Sequence, residues 1–437
     1  MKKVRHKIFI EYIKDKFRSR KHVLKKRNKA LHDIIKYAFE NSKYYHDSFS
    51  KVGLTLENVD TFPLEKLPFT NKKLLLDNYD DFLTDKNLSF DKIVNHQDQI
   101  DPKYHIVRSS GSSQKVGYFV YTDKAWNKLI VGTMREFIKS VGIFKAIKMA
   151  FKKTRILYVA ITKGQHGGSL LFTSCTDQLN FEIKLLDVNS PFQELIDTVK
   201  EFKPVYLAGY PTAICLLTKE IIKDPNISMK IKGIISCGEA LPKTKRDYLR
   251  SVYHCPILNL YDASESLLIG SETGNSFYLF DDYNYVEVID NQLYITNLYN
   301  YVQPLIRYKM SDYVKLIYDK KAKYTKCQIG TGREEDILWF TNQDGTKEYL
   351  HPLMFEDFCH QGLLDYQLVQ DKADHFTLKY VTSKSADQKS ITAFLDKEVK
   401  AILDEHKLSF ISFSTEHVNK ILPDSRTGKK RLTVGLQ

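Results

Sequence analysis

Ile231-Lys-Gly-Ile-Ile-Ser-Cys-Gly-Glu-Ala-Leu-Pro242 decides how the rest of the chain is read. Its first six residues, Ile231–Ser236, read as a strand. The strand ends in a small polar turn, Cys237-Gly238-Glu239, and a helix is expected beyond Pro242. The same grammar recurs on both sides. Val205–Ala208 is a strand that leads through Gly209-Tyr-Pro-Thr212 into a helix. Ile257–Leu260 is a strand ending in Tyr261-Asp-Ala-Ser-Glu265, and Ile156–Ile161 one followed by Lys163-Gly-Gln-His-Gly-Gly-Ser169. Between these, Pro191–Phe202 is an amphipathic helix with Phe192, Leu195, Ile196 and Val199 on its inner face. Strand and helix therefore alternate from 156 to 265, which predicts an α/β fold with a mostly parallel sheet flanked by helices. Every polar motif follows a strand, at the edge where open α/β sheets bind ligands.

Upstream lies Arg108-Ser-Ser-Gly-Ser-Ser-Gln-Lys-Val-Gly-Tyr118, a small-residue loop between two extended segments. Its backbone N–H groups are not screened by bulky side chains, so they can converge on an anion. The serine hydroxyls add donors and Lys115 a mobile positive charge. The Gly-x4-Gly-Lys-Ser/Thr spacing of the common nucleotide-triphosphate loop is missing. Asp123–Val141 follows as a long helix, with Trp126, Leu129, Ile130, Phe137, Ile138 and Val141 on one face. His166, beside glycines, either lines a pocket or is an ordinary loop residue.

Downstream the pattern changes. Phe277–Phe280, Tyr285–Val288, Leu293–Thr296 and Tyr313–Ile317 are short strands with turns such as Asp290-Asn291, which predicts a small antiparallel barrel or sheet. A boundary is expected near Gly330-Thr-Gly-Arg333. Beyond it, strands at Tyr366–Gln370, Phe376–Val381 and Leu408–Phe413 and a helix over Ala386–Glu405 predict a smaller α+β domain. Three regions are thus expected: a leader over 1–29, a large domain over 30–332 and a C-terminal domain over 333–437.

With 437 residues, 43% hydrophobic and 27% charged, the chain has the composition of a water-soluble globular protein. It contains no run of about 18 apolar residues and no apolar signal core, so a cytoplasmic protein is expected. None of the six cysteines forms a Cys-x2-Cys pair, so neither a zinc site nor a disulfide framework is expected. The formal charge of +13 is concentrated: residues 1–29 carry thirteen Lys or Arg against Glu11 and Asp15, a local +11, leaving the remainder at +2. This leader is expected to be a helix with Ile8, Tyr12, Ile13 and Phe17 at helical spacing. Such a helix either docks on the body through that stripe or lies on an anionic membrane surface. No nucleic-acid partner is expected.

The ordered set of motifs resembles the adenylate-forming superfamily of acyl-CoA synthetases, luciferases and adenylation domains. Within it, the chain is most similar to the phenylacetate–CoA ligases and the related capsule-biosynthesis proteins. Asn41-Ser-Lys-Tyr-Tyr45 and Leu67-Pro-Phe-Thr-Asn-Lys72 also resemble that branch. The resemblance implies ATP and Mg²⁺, a small carboxylic acid as substrate, and CoA, a carrier-protein thiol or an amine as acceptor. It implies that Ser109, Ser110, Gly111, Ser112, Ser113 and Lys115 close on the ATP phosphates. Gly238 and Glu239 would border adenine, and Tyr261 would stack on it. Ser264 would meet phosphate and Glu265 would bind Mg²⁺. Asp312, in Pro304-Leu-Ile-Arg-Tyr-Lys-Met-Ser-Asp312, and Arg333 would hold the ribose. Lys429, on the C-terminal tail, would touch the carboxylate and α-phosphate. His166, Gly167 and Tyr210 would line the acyl side, with Phe172 nearby.

Two positions depart from the family pattern. Gln114 stands where glycine is usual, and Asp262 replaces the glycine of the Tyr-Gly-x-Ser/Thr-Glu motif, adding a negative charge near the phosphates. The leading expectation is an adenylate-forming ligase. The alternative is a catalytically divergent homologue that acts as a binding protein in cell-surface polysaccharide biosynthesis.

Overall fold

A computed structural model describes residues 4–109, 116–160, 166–176, 180–187, 192–224, 227, 229–274, 276–333, 338–341, 347–350, 352–355, 358, 360–384, 386–405, 408–422 and 431–436. The chain divides into two compact units. The first comprises Met1–Leu241, Tyr248–Met310 and Lys315–Gln328; the second comprises Pro242–Asp247, Ser311–Val314 and Ile329–Gln437.

The N-terminal part is helical: α1 (Arg5–Phe17), α2 (Arg20–Asn41), α3 (Lys43–Ser50), α4 (Lys72–Asp77), α5 (Tyr79–Phe82) and α6 (Phe90–Asn95). Side-chain caps start several of them; Asn71, for instance, accepts from Leu74 N at 2.9 Å and opens α4. An antiparallel pair, β1 (Tyr104–Arg108) and β2 (Tyr118–Thr122), flanks the serine-rich stretch. Thr122 then caps α7 (Asp123–Val141), whose buried face carries all six expected apolar residues. Gly142, at φ 88°, turns the chain into α8 (Ile143–Phe151).

The alternating region follows as β3 (Thr154–Ala160), α9 (Gly167–Ser174), β4 (Phe181–Asp187), α10 (Phe192–Phe202), β5 (Tyr206–Gly209), α11 (Pro211–Ile221), β6 (Gly233–Ser236), α12 (Lys243–Tyr253) and β7 (Ile257–Ala263). β4, β3, β5, β6 and β7 lie side by side and parallel. Helical residues such as Leu195, Val199, Ile214 and Leu249 cover the sheet together with Leu157, Leu207 and Ile234 of the strands. Gly209 is the residue this packing requires. It sits at φ 117°, and a Cβ there would lie 2.1 Å from Val159 O on the neighbouring strand.

The next strands are β8 (Ser266–Thr273), β9 (Ser276–Leu279), β10 (Asn284–Ile289), β11 (Gln292–Asn297), β12 (Tyr308–Ile317) and β13 (Thr325–Arg333). The expected turn at Asp290-Asn291, both at positive φ (51° and 62°), joins β10 to β11. These strands pair antiparallel as expected, while a separate small barrel is not confirmed among the described residues. They extend the parallel strands into one eleven-stranded sheet, ordered β10-β11-β12-β13-β9-β8-β7-β6-β5-β3-β4. The reason is β8, which turns back at Ala263/Ser266 to pair antiparallel with β7 and so joins the two kinds of strand.

The leader also packs differently from expectation. Ile8 is fully buried, but Ile13 and Phe17 are 49% and 79% exposed. Ile8 and Asp15 are seven residues apart, so one helix face carries both inward and the other apolar residues point away. Asp15 is fully buried. Its carboxylate is 2.8 Å from Lys139 Nζ and accepts from the Tyr324 hydroxyl. Arg135, equally buried, bridges Asp282 at 2.6 Å, Glu136 at 2.8 Å and Asp15 at 3.8 Å. Burial alone would raise the Asp15 carboxyl; the charges of Arg135 and Lys139 outweigh it and hold the group far below the usual carboxylate range.

The second unit contains the hairpin β14 (Leu338–Thr341) and β15 (Lys347–Leu350), then β16 (Leu363–Lys372), β17 (His375–Thr382), α13 (Gln388–Glu405), β18 (Ser412–His417) and β19 (Thr433–Val434). Its sheet runs β18-β17-β16-β19. Ile391, Leu395, Val399 and Leu403 of α13 close the core with Leu368, Phe376 and Leu378. The last long strand begins four residues later than expected, because Leu408 and Ile411 are buried in the connection before it.

Candidate active site

Three motifs meet just past the carboxyl ends of β5, β6 and β7. Gly209 of β5 accepts from Cys237 N at 3.1 Å, and Tyr210 N donates to Val159 O at 3.0 Å. Gly238, at φ 75°, presses on the Tyr210 ring; a Cβ there would lie 2.6 Å from it. Glu239 Oε2 accepts from Thr212 N at 3.2 Å, at the first turn of α11, where a carboxylate complements the helix dipole. Asp262 Oδ1 accepts from Gly238 N at 3.1 Å. The departure from the family glycine is thus tied to the backbone of the segment expected to border adenine.

Ser109 and Gly117, on either side of the serine-rich stretch, exchange two bonds, Ser109 N to Gly117 O and Gly117 N to Ser109 Oγ, each 2.8 Å. Lys72 Nζ donates to Ser109 Oγ at 3.4 Å. Arg108 pairs with His166 in an isolated parallel bridge, and Ser264 Oγ donates to Arg108 O at 3.4 Å. Gly167 fits where a Cβ would strike Leu267 at 2.3 Å and Val107 at 2.9 Å. The two ends of β1 and β2, the start of α9 and the β7–β8 turn therefore form one assembly.

That turn carries Ser264 and Glu265. Tyr121 OH donates to Ser264 O at 2.7 Å, and Asn297 Nδ2 to Glu265 O at 3.4 Å. Burial pushes the Tyr121 and Tyr308 hydroxyls well up, and the negative charge of Glu265 adds to both. Mg²⁺ that travels with a nucleotide takes one or two carboxylates besides phosphate oxygens and water, and Glu265 is the carboxylate at this turn. On the side expected to take the acyl group, Tyr158 packs on Phe172 with centroids 4.7 Å apart, and its hydroxyl is 3.8 Å from Cys237 Sγ. Burial raises that hydroxyl first, then Cys237, Tyr210 and Asp262.

The motifs upstream of the loop have a positional role. Tyr45, fully buried, donates to Pro304 O and accepts from Ile306 N, each at 3.0 Å. Thr70 N donates to Arg307 O at 3.1 Å, and the Arg307 guanidinium lies over the Phe69 ring at 4.0 Å. Both Asn41–Tyr45 and Leu67–Lys72 thus clamp the segment that leads into β12 and Asp312.

The remaining candidates are placed as follows. Tyr261 lies on β7, paired with Gly270. Asp312 is half-buried on β12, in the stretch that clusters with the second unit. Arg333 ends β13, and its side chain is outside the described residues. Ser110, Gly111, Ser112, Ser113, Gln114, Lys115 and Lys429 also lie outside them. Sequence reasoning gave no role to Lys72, Tyr121 or Tyr158. Lys72 closes a motif whose resemblance was visible; the tyrosines sit inside strand runs and carry no local signal.

No protein-family model matches the chain. It is 24% identical over 422 residues to protein CapK of Staphylococcus aureus, covering 93% of this chain and 88% of that one. It is 20% identical over 325 residues to a phenylacetate–coenzyme A ligase of Aromatoleum evansii, covering 70% and 69%. Among solved structures, 2-hydroxyisobutyryl-CoA ligase in its postadenylation state, in complex with R3-HIB-AMP, superposes with a TM-score of 0.68 at 17% identity, covering 95% of this chain and 89% of that one. The same ligase in an open conformation with 2-HIB-AMP and CoA gives 0.57.

Proposed function

Since the chain belongs to the adenylate-forming superfamily, we propose that it is a ligase that activates a small carboxylic acid with ATP. A carboxylate oxygen attacks the α-phosphorus, and the bond to pyrophosphate breaks. A thiol, CoA in the first instance, then attacks the acyl carbon, loses its proton and releases AMP. The observation that carries this reading is the convergence of Ser109, His166, Gly238, Asp262, Ser264 and Glu265, from four separate stretches, at one sheet edge.

The difficulty of the first step is that two anions must meet. In this reading the serine-rich loop, with Lys115 and Lys72, holds phosphate oxygens; the fixed donors stabilise charge where it develops. Glu265 holds Mg²⁺ arriving with ATP. Tyr261 stacks on adenine, which Gly238 and Glu239 border. Asp312 and Arg333 bind the ribose, and Lys429 bridges carboxylate and α-phosphate. Asp262 accepts from Gly238 N, so the residue that replaces the family glycine also holds the segment assigned to adenine in place. His166, Gly167 and Tyr210 line the acyl side. The ligase relatives whose solved complexes hold acyl-AMP and CoA support the same chemistry.

The test is acid-dependent exchange of pyrophosphate into ATP across a panel of small aromatic and aliphatic acids. Exchange that falls about a hundredfold or more in Glu265→Gln and Lys429→Ala is expected. No exchange with any acid, together with no thermal protection by ATP, returns the chain to the binding-protein alternative.

A further inference from the structure

The outward faces of α1 and α8 carry the same pattern. In α8, Ala146 and Met149 are buried, while Phe144, Ile147 and Phe151 are 81%, 42% and 84% exposed. These three stand at i, i+3 and i+7, one stripe directly opposite the buried side. In α1, Ile8 and Asp15 face inward, while Ile10, Ile13 and Phe17 are exposed, again at i, i+3 and i+7. A surface helix ordinarily turns polar residues outward, so two inverted helices on one unit call for a partner.

The charges identify it. Ile143–Lys153 holds Lys145, Lys148, Lys152 and Lys153, all exposed, and no acidic residue. In α1 the exposed flank carries Lys7, Lys14 and Lys16, and both acids are turned inward: Asp15 is buried, and Glu11 pairs with Arg18 at 2.5 Å. The stripes are also neighbours along the fold. Asp15 contacts Lys139 at 2.8 Å, which sets the Phe17 end of α1 beside the end of α7 from which α8 departs. Lys153 pairs with Glu182 at 3.2 Å; the other lysines beside these aromatic and aliphatic residues fit the headgroup boundary of an anionic bilayer. No helix among the described residues is long and apolar enough to cross a membrane.

We propose that α1 and α8 together seat the protein on an anionic phospholipid surface, Phe17, Phe144 and Phe151 entering the interface and the lysines meeting the headgroups. The full chain is cosedimented with vesicles of phosphatidylcholine, with and without phosphatidylglycerol. Binding is expected only with phosphatidylglycerol and weakens as salt is raised. Phe144→Ser/Phe151→Ser and Ile13→Ser/Phe17→Ser should each weaken it about tenfold or more, and so should Lys145→Glu/Lys148→Glu/Lys152→Glu, with unchanged circular dichroism and melting. Equal binding by these variants, or none by the parent chain, overturns the proposal. So does a parent chain that self-associates without binding vesicles and is made monomeric by Phe144→Ser/Phe151→Ser, which assigns the face to a second copy.

Discussion

Asp262 accepts a hydrogen bond from the backbone N–H of Gly238, 3.1 Å away, across the ends of two neighbouring parallel strands. The bond fixes a glycine held at φ 75° against the Tyr210 ring. Asp262→Ala should therefore cost about 1–2 kcal/mol in urea unfolding. It should also raise the KM for ATP more than that for the acid, since the freed segment is the one assigned to adenine. An unchanged KM for ATP would separate Asp262 from nucleotide binding.

Lys72 reaches Ser109 Oγ from the start of α4, at the base of the serine-rich loop. Lys72→Ala is expected to raise the KM for ATP about tenfold, the effect of losing one charge-assisted contact of about 1.4 kcal/mol. Lys72→Arg should recover part of it. Steady-state kinetics with ATP and acid varied separately make the measurement.

Asp15 ties α1 to the body. Its folded carboxyl lies below the ordinary range, so its contribution is complete above about pH 4 and is lost as the pH falls toward the folded value. Asp15→Ala leaves buried Arg135 short of a partner and should cost about 3 kcal/mol at neutral pH. Hydrogen exchange across 5–17 should rise in the variant, and the difference from the parent chain should shrink in acid.

Lys128 behaves in the opposite chemical sense. Burial lowers it to about 8, against the pull of Asp282 and Glu11, and its ammonium lies over the rings of Tyr283 and Tyr299 at 5.0 and 5.5 Å. Below that value the folded chain bears the cost of a charged buried amine. The cost is relieved as the pH rises from about 8 toward 10.5. The parent chain should therefore gain up to about 2–3 kcal/mol over that window relative to Lys128→Met, read as the difference in unfolding free energy between the two at each pH.

What the sequence disclosed follows from what is local. The α7 stripe, the strand–turn–helix units ending at Gly209 and Gly238, and the Asp290-Asn291 turn are set by neighbouring residues, and each stands where its pattern put it. β8 was missed because Ser266–Thr273 mixes apolar and polar residues without alternation; β7 and β9 pair its backbone, and Gly132 of α7 and Gly167 of α9 lie against its Leu268 and Leu267. Without it, the antiparallel strands looked like a separate barrel. In α1 the apolar residues divide between the two faces, because a buried Arg135 on another helix, invisible to a local reading, draws Asp15 inward beside Ile8. The site shows the same division. Order along the chain set Ser264 and Glu265 after a strand, but the bonds to Arg108 and Tyr121 span more than a hundred residues.

β7 is the seam of the large sheet, with a parallel neighbour on one side and an antiparallel one on the other. Ser264 and Glu265 sit at its tip, moored by Tyr121 and Asn297. The turn that holds Ser264 and Glu265 is closed by the Ala263–Ser266 pair, so these two residues inherit their position from the ladder that β7 shares with β8.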